Sequence, residues 1–244
     1  MRPFLLLATR AEPAPADQEY TAFLRCGGLD ESELVRHRLE REPLLDLDLD
    51  AYSGIILGGS PFTVSDPAAK KSSTQVRVEQ ELSDLMDRVV AQDFPFLGAC
   101  YGIGILGLHS GAVVDGTYAE PVHATDISVT DAGRTDPLFY VLPDTFEAFV
   151  GHKEAITKLP DDALNLASSR DCPVQAFRIG ANVYATQFHP ELDVPGIITR
   201  IDAYKTYGYF APEQAEELKA AARESDVHHP AALVRRFVEL YWQD

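Results

Sequence analysis

Five residues constrain this chain more than any others: Gly98-Ala99-Cys100-Tyr101-Gly102. They follow the apolar run Phe94-Pro95-Phe96-Leu97 and open a helical stretch from Ile103 to His109. A strand that turns at once into a helix, with small residues on either side of the turning residue, is the nucleophile-elbow pattern, here with cysteine in the serine position. The turn is so sharp that side chains two residues before and after Cys100 would collide, and Cys100 itself takes a strained backbone conformation. The thiol is lifted above the sheet edge at a helix N-terminus, where peptide dipoles favour the reactive thiolate. Cys26 and Cys172 have no such context and are expected in the core.

A nucleophile needs a base. Downstream the chain reads Tyr184-Ala185-Thr186-Gln187-Phe188-His189-Pro190-Glu191. The alternation predicts a strand over Val183–Phe188 that ends at His189. Pro190 stops the ladder, and Glu191 comes round to the same end, where its carboxylate can hold the imidazole. Upstream, Ile55-Ile56-Leu57-Gly58-Gly59-Ser60 is an apolar strand ending in two glycines. Such a loop can aim a backbone N–H at a developing oxyanion. His37, His109, His123, His228 and His229 have no comparable setting and are expected to be structural or on the surface.

In chain order these elements are a Gly-Gly loop, a cysteine elbow and His-Pro-Glu. Together they resemble the class I (triad) glutamine amidotransferases, and most of all the glutaminase domain of GMP synthase and its free-standing relatives. The resemblance covers residues 1–195 and the last helix. It implies a three-layer α/β fold, with a mostly parallel open sheet flanked by helices in the flavodoxin-like manner. It also implies hydrolysis of a glutamine side-chain amide: Cys100, His189 and Glu191 as the catalytic triad, the Gly59 and Tyr101 N–H groups as the oxyanion hole, and no cofactor or metal. Substrate contacts are expected from Gly58, Gly104, His152 and Lys153. At two places the chain departs from the pattern. Many relatives carry glutamine four residues after the cysteine, where Gly104 stands, and the pocket turn is Gly151-His152-Lys153-Glu154 rather than Ser-His-Gly or Asn-His-Gly. The chemistry is therefore better specified than the amide. The expected substrate is glutamine or a γ-glutamyl amide. Three readings stay open: ammonia supply to a separate synthetase subunit, stand-alone γ-glutamyl hydrolysis, and a non-catalytic regulatory subunit, against which the intact triad argues.

At 244 residues the chain can bury one sizeable core as a single domain, residues 1–244. A net charge of −17, from 38 acidic against 21 basic residues, argues against nucleic-acid binding, which requires a basic face. Three cysteines without CxxC spacing suggest neither a zinc site nor a disulfide framework, and a reducing, cytoplasmic setting fits a free thiol. The N-terminal apolar run is too short for a signal peptide, and no stretch reaches membrane-spanning length. Beyond Glu191 the sequence is helical. Residues 196–230 form an added segment before the final helix, with Tyr204, Tyr207, Tyr209 and Phe210 clustered beside acidic residues. This segment is expected to cover the active-site side or dock a partner rather than to complete the core, with a homo-oligomer as one outcome; the alternative is that its aromatic residues pack on the sheet. Pro13-Ala14-Pro15 is expected in a loop, followed by a short helix over Tyr20–Arg25.

Overall fold

The computed structural model describes residues 2–45 and 47–243. In chain order the strands are β1 (Phe4–Ala8), β2 (Leu34–Arg38), β3 (Gly54–Leu57), β4 (Phe96–Ala99), β5 (Val113–Asp115), β6 (Glu120–Val129), β7 (Thr145–His152), β8 (Ala155–Lys158), β9 (Leu164–Ser169), β10 (Ala176–Ile179) and β11 (Val183–Thr186). The helices are α1 (Pro13–Gly27), α2 (Ser73–Ala91), α3 (Tyr101–His109), the single turn α4 (Asp131–Arg134), α5 (Val194–Tyr204), α6 (Ala215–Glu224) and α7 (Ala231–Tyr241). Nine strands make one sheet in the order β2-β1-β3-β4-β11-β10-β9-β6-β7, while β5 and β8 pair separately. From β2 to β11 the neighbours are parallel. From β11 to β7 they are antiparallel.

The parallel half explains the continuous apolar strands. A strand covered on both faces must be apolar at every position, and all of β1 is buried. Alternate residues serve opposite layers. Phe4 and Leu6 join Phe23 of α1 and Phe237 of α7 in one core. Leu5 and Leu7 join Val78, Leu82 and Met86 of α2 in the other. The Ser72 hydroxyl caps α2 by accepting from the Gln75 N–H at 3.1 Å. A smaller third core packs α5 and α6 on the antiparallel end, with Phe149, Leu192, Ile197, Ile201 and Ala222. No helix among the described residues is long and apolar enough to cross a membrane.

One local expectation changes. Pro13-Ala14-Pro15 opens α1 instead of forming a loop, because proline in the first helical turn gives up only an N–H that has no helical partner. In β6 the residues Val122–Thr125 are all half-buried, so only its end, Asp126–Val129, alternates between exposed and buried. The short strands β5 and β8 carry too few residues to show a period.

The elbow itself has the expected form. Cys100 sits at φ 53° and ψ −87°, and a Cβ placed on Gly98 would lie 2.9 Å from the backbone carbon of Gly102. Gly98→Ala must therefore push β4 and α3 apart. We expect a loss of about 1–3 kcal/mol, seen as a fall in melting temperature of roughly 2–4 °C per kcal/mol for a chain of this size. An unchanged melting temperature would mean that the turn has slack.

Candidate active site

Four strand ends converge at the carboxyl edge of the parallel sheet: β1 runs into Arg10, β3 into Gly58-Gly59, β4 into Cys100 and β11 into His189. In the order β2-β1-β3-β4 the direction of winding reverses between β1 and β3, which opens the crevice where such sheets bind ligands. The Cys100 N–H donates to the Thr186 carbonyl at 2.8 Å, tying the elbow to β11. The His189 N–H donates to the Phe149 carbonyl at 3.1 Å, which fixes the base from the opposite side. His189 Nδ1 lies 2.9 Å from Glu191 Oε1. Tyr101 opens α3, so its N–H has no helical acceptor.

Behind the imidazole lies a buried network that the sequence reading does not contain. Glu19 Oε1 accepts from Arg10 Nε at 2.9 Å, from Arg200 Nη2 at 3.3 Å and from the Gly59 N–H at 3.2 Å. Arg200 Nη2 also donates to Glu191 Oε1 at 2.7 Å. Arg10 Nη1 donates to the Tyr204 hydroxyl at 3.1 Å. Exposure is 3% for Arg10, 0% for Glu19, 1% for Glu191 and 6% for Arg200. Buried charges persist only when paired and hydrogen-bonded, and here two guanidinium groups meet two carboxylates. The sequence did carry a signal. Glu19 lies on the buried stripe of α1 with Ala16, Ala22 and Phe23, and Arg200 lies on that of α5 with Ile197, Ile201 and Tyr204. A charged residue on an otherwise apolar helical stripe needs a buried partner.

The electrostatics differ from the helix-dipole expectation. Burial pushes the Cys100 thiol up to about 12, and the cations of Arg10 and Arg200 recover only part of that rise. Burial, joined by the Arg200 charge, pushes His189 down to about 4 against the pull of Glu191. Burial would raise Glu191, but His189 and Arg200 hold it well below the usual carboxylate range. At neutral pH the resting pair is therefore a thiol and a neutral imidazole, not a thiolate and an imidazolium. His189 Nδ1 also lies 2.8 Å from Arg200 Nη1. Glu191 calls for a proton on Nδ1 and Arg200 for a bare nitrogen. Only the first tautomer leaves Nε2 free to receive the thiol proton.

Cys100 stands where three spaces meet. One holds His189, Arg10, Arg200 and a set of apolar side chains. The other two lack His189 and carry Gln187 and Glu154, while Ser60, Gly151 and Tyr209 line both the first and the second. Gly104 lines one of these. A Cβ there would meet Val64 Cγ2 at 2.9 Å and Glu154 Oε1 at 3.4 Å, so these residues occupy the room a longer side chain would need. The Glu154 carboxylate is fixed by the N–H groups of Val64 and Ser65, both at 2.7 Å. His152 lines the polar side, but Nδ1 faces the Glu154 carbonyl and Nε2 the Glu120 carboxylate, both at 3.0 Å. Neither nitrogen is left for a substrate. Lys153 Nζ donates to the Tyr207 carbonyl at 2.6 Å. Gly58 packs on Glu19, whose Oε2 would lie 2.5 Å from an added Cβ. The Gly59 N–H is engaged by Glu19 and must exchange that partner before it can serve an oxyanion. Glu120, His152 and Cys172 bring their ligand atoms within 4.8 Å of one another, but His152 already bonds Glu120 and the Cys172 thiol faces the Val174 carbonyl at 3.4 Å.

These shifts fix a pH dependence. The folded value of His189 lies below its ordinary 6.5, so the ring stays neutral through that range and takes up a proton only near 4. Arg200→Gln removes one of the charges that hold it down, and the titration must move upward. NMR of the labelled imidazole checks both points. Titration near 6.5 in the unmodified protein, or no movement in the variant, would contradict them. Alkylation of Cys100 should be slow at neutral pH and quicken in alkali.

Comparison with known proteins agrees with this arrangement. The model of the class-I glutamine amidotransferase family matches residues 25–195. One subunit of the glutamine-hydrolysing GMP synthase of Picrophilus torridus is 28% identical over 168 residues, which is 68% of this chain and 78% of that one. The corresponding subunit of Thermoplasma acidophilum is 30% identical over 147 residues, 60% of this chain and 66% of its own. Against the GMP synthase of Petrotoga mobilis the match covers 60% of this chain but 26% of the relative. In fold, the chain is similar over its full length to a glutamine amidotransferase from Thermotoga maritima, with a TM-score of 0.74, 21% identity and all of that chain covered. It is also similar over its full length to one from Methylobacillus flagellatus, with a TM-score of 0.72, 16% identity and 97% of that chain covered. A match over residues 25–195, with an elbow cysteine and a His-Glu pair at one sheet edge, places this chain in the class-I glutamine amidotransferase family.

Proposed function

We propose that this protein hydrolyses the side-chain amide of glutamine through a Cys100 γ-glutamyl thioester and releases ammonia to an acceptor enzyme on a separate chain. The observation that carries the reading is the 2.9 Å contact between His189 Nδ1 and Glu191 at the cleft that Cys100 lines. The likeness to individual subunits of GMP synthase supports a separate synthetase partner.

In this mechanism Cys100 Sγ attacks the carboxamide carbon as His189 Nε2 takes the thiol proton. The resting thiol makes attack and proton transfer one coupled step. The Tyr101 N–H, joined by the Gly59 N–H once Glu19 releases it, receives the oxyanion; one such donor contributes about 3 kcal/mol in comparable sites. His189 then protonates the departing nitrogen, and ammonia leaves. Water, deprotonated by the same imidazole, cleaves the thioester to glutamate and restores the thiol. Glu191 holds the tautomer and supports the imidazolium that forms.

Cys100→Ala should abolish ammonia release, and a glutamine-like diazo-ketone should add a single label, at Cys100. A label on Cys26 or Cys172 would overturn the assignment. His189→Ala should lower kcat by on the order of a thousandfold or more, and adding Glu191→Ala should cost little further, because triad members act as a unit. Multiplicative losses would separate their roles.

A further inference from the structure

A groove of about 330 Å³ lies where the third core meets solvent, against about 40 Å³ for the cleft that holds His189. That volume falls within the range of roughly 300–1,000 Å³ that small-molecule sites occupy. The sheet side of the groove is the face of β6 and β7 that carries Ala124 and Phe149, which stand opposite each other in the register. Ile201 lines it from α5, and Ala221 and Ala222 line it from α6. Alanine at these three places leaves open the space that longer side chains would fill. Cys100, His189 and Glu191 are not among the lining residues.

The charge around this apolar space is one-sided. Residues two apart on a strand share a face, so the pair after Ala124 and Phe149 on the same face is Asp126 and Glu147. Like charges directly opposite one another on neighbouring strands repel. Glu147 lines the groove, and Glu224 lines it from α6. One Glu147 oxygen accepts from the Asp226 N–H, which orients the carboxylate without neutralising it. No lysine or arginine lines the groove, and Lys219 of α6 pairs instead with Asp202 and Glu216. The imidazole of His123 is turned away, with Nδ1 on the Pro121 carbonyl and Nε2 toward the Glu120 carboxylate. An apolar groove whose only charged rim is acidic is the complement of a molecule with an apolar body and a positive end.

We propose that this groove binds a small organic cation, an amine whose apolar body lies against Phe149 and Ile201 and whose ammonium group meets the carboxylates of Glu147 and Glu224. The binding changes no covalent bond and uses no residue of the triad, so it stands apart from the glutamine-hydrolysis reading. Ile197 lines both this groove and the catalytic cleft, and the two places are told apart by blocking the cleft.

Titration calorimetry of the full chain compares tryptamine with indole-3-propionate, which carries the same ring and arm with the opposite charge, and with neutral 3-methylindole. Tryptamine should occupy one site and bind more tightly than either by about tenfold or more. Replacing both Glu147→Gln and Glu224→Gln should bring tryptamine and 3-methylindole within roughly threefold of each other. Ala221→Phe, at an exposed position of α6, fills the groove and should weaken tryptamine by about tenfold or more. A melting curve for each variant establishes that it is folded. Labelling Cys100 with the glutamine-like diazo-ketone should leave tryptamine binding unchanged. Loss of binding on labelling would move the amine to the catalytic cleft and overturn the proposal. Equal affinity for the three probes, binding of none of them, or full affinity in Ala221→Phe would overturn it as well. So would a dimer in sedimentation that Ala221→Phe dissociates, because a second copy of the chain would then be the occupant.

Discussion

The active-site edge of this protein depends on one buried charge network. Arg10 follows β1, Glu19 comes from α1, Gly59 follows β3, Glu191 follows β11 and Arg200 comes from α5, and all five meet within hydrogen-bonding distance. Removing one partner of such a network leaves an uncompensated buried charge, at a cost of about 3–5 kcal/mol. The elements are therefore held in mutual register by a requirement stronger than apolar packing alone. It also explains why α5 follows the His-Pro-Glu turn so closely: its buried stripe has to return a guanidinium to the carboxylate that the turn has just placed.

The same network sets a conflict that the chemistry has to resolve. Arg200 secures Glu191 yet lowers the basicity of His189. Glu19 anchors the two arginines yet occupies the Gly59 N–H. Burial then keeps the proton on Cys100. Each choice favours a quiet resting site over a primed one. A substrate that inserts its own carbonyl beside Gly59 changes this balance directly, because a developing oxyanion competes with Glu19 for the donor. Under the proposed mechanism, binding and activation are then coupled through one backbone N–H.

The motifs that were legible in the sequence are those whose meaning is local. Gly98 and Gly102 flank Cys100 because the turn itself forbids side chains there, and the proline between His189 and Glu191 bends the chain within three residues. The continuous apolar strands of the parallel half were legible for the same reason. The charge network was not, because Arg10 and Arg200 are 190 residues apart and only the fold joins them. The thiolate expectation failed on a similar ground: a helix N-terminus is a local feature, whereas desolvation of Cys100 is imposed by every element packed around the cleft. Pro13-Ala14-Pro15 misled because proline breaks a helix in its interior and begins one at its first turn, and composition does not distinguish the two.

Residues 196–230 serve the core and the cleft from one set of side chains. Ile197 and Ile201 of α5 and Ala222 of α6 pack in a third core against Phe149, so the segment completes the fold at the antiparallel end, against the expectation that it would only cover the site or meet a partner. The aromatic residues that were expected to cover the site or meet a partner divide between these tasks. Tyr204 is buried and accepts from Arg10, joining the core to the charge network, while Tyr209 and Phe210 close the cleft above Cys100. Lys153 and Glu12, both outside the segment, hold Tyr207 by its carbonyl and by its hydroxyl.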